Sequence, residues 1–133
     1  MEYNLPRQRL LEAFGRVRDV VSQFEANGRY ISFPIEVRTL GPDDIALSPA
    51  YQRDSGYIAV HMYSGTEYSD YFDAVERIMR DYDGRPHWGK LHGQDAASLR
   101  SLYPAWDTFQ QARNHLDPHR RFANPYLDRV LGT

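Results

Sequence analysis

Gly84-Arg85-Pro86-His87-Trp88-Gly89-Lys90-Leu91-His92 is the run on which the reading of this chain turns. It follows the turn signal Asp83-Gly84 and holds the densest set of functional side chains in the sequence. Read as a strand, it places Trp88, Lys90 and His92 on one face and His87 and Gly89 on the other. An ammonium beside an indole, with a glycine removing bulk next to it, suits close holding of something small. The alternative is an edge strand carrying a solvated lysine.

Working outward, the segments before and after this strand set the fold. Glu2 to Leu5 reads as a short first strand ended by Pro6, and a helix is expected from Arg7 to Asn27, its stripe Leu10, Phe14, Val17, Val21 and Phe24. Tyr30 to Leu40 and Tyr57 to Tyr63 read as strands. In the first, Ile35 and Val37 alternate with Glu36 and Arg38; in the second, Ile58, Val60 and Met62 alternate with Tyr57, Ala59, His61 and Tyr63. A second helix over Tyr68 to Tyr82 carries Tyr71, Phe72, Val75, Ile78, Met79 and Tyr82 and is stopped by Gly84. Leu99, Leu102, Trp106, Phe109 and Leu116 mark shorter helices up to Asp117-Pro118, with a last helical turn at Leu127, Val130 and Leu131.

The order strand, helix, strand, strand, helix, strand is the split βαβ pattern. It predicts an α+β, ferredoxin-like antiparallel sheet with helices on one face and extra C-terminal helices. The face away from the helices would carry Glu36, Arg38, His61, Tyr63, Trp88 and Lys90. Taken singly, Glu36 and Arg38 also read as a surface ion pair, and His61 as a hydrogen-bonded structural histidine. Convergence of ionisable and aromatic groups from three strands points instead to a site.

Composition narrows the chemistry. A chain of 133 residues is one domain, spanning 1–133, able to bury a core. A formal charge of -2 and no basic run argue against nucleic acid as a partner. Without cysteine, thiol catalysis, disulfides and iron–sulfur clusters are excluded. No apolar run is long enough to span a bilayer and no signal segment follows Met1, so a soluble, cytoplasmic protein is expected. No Gly-x-Ser-x-Gly elbow, His-Glu-x-x-His pair or glycine-rich phosphate loop occurs. His115 and His119 are split by Pro118, and Asp43-Asp44 lacks partners at ligand spacing, so no metal is expected. Proton abstraction beside stabilisation of a developing anion fits what remains, and a redox step would need a cofactor.

Five stretches carry a resemblance. They are Phe33-Pro34-Ile35-Glu36-Val37-Arg38, Leu47-Ser48-Pro49-Ala50, Tyr57-Ile58-Ala59-Val60-His61, the run from Gly84 to Lys90, and Leu116-Asp117-Pro118 followed by Phe122-Ala123-Asn124-Pro125-Tyr126. Over nearly its whole length the chain resembles the C-terminal substrate-binding cap of the aldonolactone oxidoreductases. These are flavoproteins of the L-gulono-1,4-lactone and D-arabinono-1,4-lactone oxidase type, in the vanillyl-alcohol-oxidase class, with alditol oxidases related.

The resemblance implies FAD as cofactor and a small sugar lactone or polyol as substrate. It places Glu36 and Arg38 at the reactive edge of the isoalloxazine ring. His61 and Lys90 would face the substrate, one of them assisting proton removal from a hydroxyl as hydride leaves for the flavin. Tyr63, Trp88 and His87 would line the substrate position, with Tyr63 where alditol-type sites carry a smaller polar residue. Family members also carry an FAD-binding domain of roughly two hundred residues by ordinary domain sizes, which this sequence lacks. The isolated chain is therefore expected to be inactive and to bind no FAD tightly, the missing domain acting in cis or in trans. Self-association is expected through the surface that domain would cover. A stand-alone ligand-binding module is the alternative, and membrane association stays open for full-length members.

Overall fold

The computed structural model describes residues 1–133. Four strands, β1 (Glu2–Pro6), β2 (Glu36–Leu40), β3 (Ser55–Ala59) and β4 (Arg85–Pro86), form one sheet in the order β2-β3-β1-β4. Every neighbouring pair is antiparallel. Helix α1 (Leu10–Ala26) links β1 to β2, and α2 (Ser69–Arg80) links β3 to β4, so β3 sits between the two strands that α1 connects. This is the predicted split βαβ topology.

Alternation along β1 explains the layering. Tyr3 and Leu5 are buried in the core with Ile58 and Val60 of the β3 segment. Leu10, Ala13 and Val17 of α1 cover them, together with the six α2-segment residues expected from the sequence: Tyr71, Phe72, Val75, Ile78, Met79 and Tyr82. Helix α1 lies close on the sheet because Gly56 has no side chain. A Cβ there would stand 2.7 Å from Leu10 Cδ1.

Three more helices, α3 (Ala96–Leu102), α4 (Trp106–Leu116) and α5 (Pro125–Leu131), build a second core around Leu99, Tyr103, Trp106 and Val130. Their starts are chemically marked. Asp95 and Ser98 form a reciprocal capping box on α3, and Asn124 caps α5 ahead of Pro125. No helix is long and apolar enough to cross a membrane.

The Gly84–His92 run departs from the strand reading. Only Arg85 and Pro86 pair, with Asn4 and Tyr3. At His87 the chain turns: Lys90 N donates to the His87 carbonyl (3.1 Å) and Gly89 N to His87 Nδ1 (3.0 Å). These local acceptors satisfy the backbone in place of a neighbouring strand. Period-2 alternation is lost, so Trp88, Lys90 and His92 do not share a face by pleat. The strands expected over Tyr30–Leu40 and Tyr57–Tyr63 are likewise confined to Glu36–Leu40 and Ser55–Ala59.

Candidate functional site: two cations on one buried carboxylate

The face opposite α1 and α2 is laid out by register. Arg38, Tyr57, Asn4 and Arg85 form one cross-sheet row; Glu36, Ala59 and Glu2 form the next. His87 continues the second row, its N–H donating to the Glu2 carbonyl at 3.0 Å. Ala59 is the one small member, and its methyl leaves space for long side chains on either side to meet above it.

They meet at Glu2, which is only 3% exposed. Arg38 Nη2 donates to Glu2 Oε1 (2.5 Å), and Lys90 Nζ donates to Glu2 Oε2. Arg38 also reaches Glu36 through Nε (3.1 Å), and its guanidinium lies 5.8 Å from the Tyr57 ring centre. Burial alone would raise the Glu2 carboxyl, but the Lys90 hydrogen bond and the charges of Lys90, Arg38 and His87 outweigh it and hold it below the usual range. Glu2 is therefore ionised, and each cation keeps donors to spare. The Arg38 and Lys90 side chains remain 50% and 34% exposed. Glu2, Arg38, Tyr57 and His87 line a cavity of about 280 Å³ open to solvent.

The other expected site residues lie elsewhere. His61 and Tyr63 follow the end of β3, where the chain has left the sheet. Phe33 joins them: its ring stacks on Tyr63 at 6.0 Å between centres and tilts against His61 at 6.3 Å. His61 and Tyr63 line a depression of about 540 Å³ with Met1 and Leu91. Met1 and Leu91 are shared with a neighbouring depression of about 530 Å³ bounded by Trp88, Gly89, Lys90 and Tyr126. Lys90 thus touches Glu2 through its ammonium and lines the depression next to the His61 hollow. Trp88 belongs to the second core: its indole donates to the Leu47 carbonyl (2.8 Å) and packs on Tyr103. His87 caps the turn with its ring.

Residues that the sequence reading passed over hold this arrangement. Glu2 was legible in principle, since β1 alternation puts Glu2 and Asn4 opposite Tyr3 and Leu5. Arg85 is buried and donates to the carbonyls of Leu102 (2.8 Å), Pro49 (3.1 Å) and Tyr51 (3.0 Å), tying β4 to the second core and the 41–54 loop. Tyr126 of α5 donates its hydroxyl to the Trp88 carbonyl and stands 3.1 Å from His92 Nε2. The α5 helix therefore fastens the turn that carries Lys90.

The donor set suits one part of a flavin. Two cations with free N–H groups on an open face match the edge of a ring that gains negative charge. The depressions beside Arg38, Lys90 and His61 are all open to solvent, so a dinucleotide bound there would need a second protein surface to enclose it.

Comparison with known proteins adds the family context. The profile of the family described as D-arabinono-1,4-lactone oxidase matches residues 1–130. An L-gulono-1,4-lactone dehydrogenase of Mycobacterium tuberculosis is 56% identical over 132 residues, covering 99% of this chain and 30% of that protein. The L-gulonolactone oxidase of Bos taurus is 37% identical, covering 98% of this chain and 30% of the relative. An alditol oxidase of Streptomyces sp. is 34% identical, covering 98% of this chain and 31% of its own length. The chain thus spans about a third of the length of the relatives it matches.

Proposed function

Because the chain belongs to the D-arabinono-1,4-lactone oxidase family, we propose that it forms the substrate face of an FAD-dependent oxidoreductase acting on a secondary hydroxyl of a sugar 1,4-lactone. The observation that carries this is the meeting of Arg38 and Lys90 on Glu2, both cations staying partly exposed, Arg38 in one open depression and Lys90 in another. When bound, FAD supplies the acceptor for the hydride that leaves the carbinol carbon.

Arg38 would bind at the edge of the ring and offset negative charge there, with Glu36 holding its Nε. Lys90, fixed by Glu2, would donate to the substrate oxygen that is becoming a carbonyl. His61 accepts the hydroxyl proton in this reading; it lies across Met1 and Leu91 from the Lys90 turn. Tyr63, stacked on Phe33, offers a flat apolar wall beside His61, better suited to a closed lactone ring than to an extended polyol. Trp88 and His87 shape the turn that presents Lys90.

The test is to mix this chain with a flavin-binding domain of a relative and follow loss of the visible flavin absorbance under anaerobic conditions with a panel of lactones and polyols. Bleaching by 1,4-lactones, dependent on the chain, supports the proposal. Bleaching by open-chain polyols alone moves the substrate class to alditols. No bleaching by any member of the panel, with the complex demonstrably formed, defeats it.

A further inference from the structure

We infer that Glu2 is the positioning residue of the site: it does not touch substrate but fixes Arg38 and Lys90 relative to one another. The part that concerns turnover rests on the function proposed above; the geometric part does not.

Three observations support this. Both carboxylate oxygens are committed, Oε1 to a side chain from the β2 edge and Oε2 to one from the turn beyond β4. Glu2 stands on β1, with β3 between it and β2, so Arg38 crosses a whole strand to arrive there; the path runs over Ala59, the register partner of both Glu2 and Glu36. A carboxylate this deeply buried is costly unless paired, whereas two half-exposed cations are content in water. The stabilisation therefore runs mostly from cations to carboxylate, and its by-product is orientation. One N–H of Lys90 and one terminal N–H of Arg38 are fixed on Glu2, and both side chains stay partly exposed, Arg38 lining the Glu2 cavity and Lys90 the depression bounded by Trp88 and Tyr126. A second acid at Glu36 holds Arg38 in rotation about its own plane.

The inference is tested on the chain itself by NMR of the Lys90 Nζ–H and Arg38 guanidinium N–H groups. In the wild-type chain both are expected to be slow to exchange with water and as ordered as the backbone. Glu2→Gln, which keeps shape and removes charge, is expected to release both together, while the Arg85 guanidinium, held by three carbonyls, stays unchanged. Persistence of order at either cation in Glu2→Gln overturns the inference. Should that variant fail to fold, acid titration of the wild-type chain serves instead. The charged and titratable groups facing the Glu2 carboxyl are Arg38, Lys90, His87 and the Met1 ammonium, with Glu36 acting through Arg38. Both cations should lose order with the protonation of Glu2, and loss at two separate pH values overturns the inference.

In the flavin-loaded assembly, Glu2→Gln is expected to slow flavin reduction on the order of 100-fold with substrate KM within about threefold, the mark of misplaced rather than missing groups. Release of both cations without a fall in that rate overturns the positioning role. If the wild-type assembly never reduces flavin while the NMR result stands, the function proposed above is what fails.

Discussion

His92 shows how single side chains here were given their state by burial. Its Nδ1 accepts the Gln94 N–H (3.2 Å), which leaves the Nε2 hydrogen for the Tyr126 hydroxyl, and that hydroxyl passes its own hydrogen to Trp88. Both ring nitrogens have a use only while the ring is neutral. Burial first, and then the charge of Arg129, lower its pKa from 6.5 to about 4. The sign follows from proton counts. Between those values the unfolded chain binds a proton there that the folded chain refuses, so stability falls as pH drops from 6.5 toward 4. Glu2 acts in the same direction at lower pH, its contribution being lost as pH falls through its depressed folded value. Urea midpoints across this range should show the slope, and His92→Gln should flatten it; an unchanged slope contradicts the assignment. Tyr126→Phe should cost about 1–3 kcal/mol in the same assay, since it strips buried partners from Trp88 and His92. Glu36 and Arg38 were legible from sequence because two-residue spacing on a strand puts them together whatever the rest of the chain does. For Glu2 only the face was legible, from alternation along β1; the glutamate itself carries no local sign that two distant cations converge on it.

Helix α2 illustrates what an element's sequence discloses and what it hides. Its stripe is read straight from the spacing, and every expected residue is buried. Its end is subtler. Asp83 takes the left-handed conformation (φ 52°), with its N–H on the Arg80 carbonyl (3.3 Å) and the Gly84 N–H on that of Met79 (2.9 Å), the two bonds of a Schellman stop. Gly84 is thus required for room rather than for φ: an added Cβ would lie 2.6 Å from the Met79 carbonyl oxygen. Gly84→Ala is expected to destabilise by about 1–3 kcal/mol in chemical unfolding, and a neutral result would contradict this packing. The run after it misled for a related reason. Its alternating residue types fit a strand, but His87 supplies acceptors that close a turn, and the indole of Trp88 finds the Leu47 carbonyl. Those partners come from the loop and from local geometry, which pattern reading along the chain does not see.

At the scale of the whole molecule, the sheet is unevenly covered. Helices α1 and α2 fill one side, and α3 to α5 the far end, but β2 is an exposed edge strand throughout, with Leu40 52% exposed and Tyr63 65% exposed nearby. An open edge beside apolar rings invites pairing. We propose that the chain by itself self-associates through this side, which sedimentation velocity over a concentration series should reveal; a strictly monomeric profile contradicts it. The fold class was legible from element order alone, since a split βαβ leaves few ways to pair strands. The sequence put Lys90 and Arg38 on one face by strand pleat, and they do meet, but through a turn and a carboxylate that the strand reading did not include. The most direct measurement of the central claim is the anaerobic rate of flavin reduction by a 1,4-lactone in the chain combined with a flavin-binding domain. Lys90→Met and Arg38→Met should each lower that rate by roughly 100-fold or more, while Arg100→Met, which removes an exposed pair with Asp107, leaves it unchanged. Wild-type rates in both site variants would contradict the account.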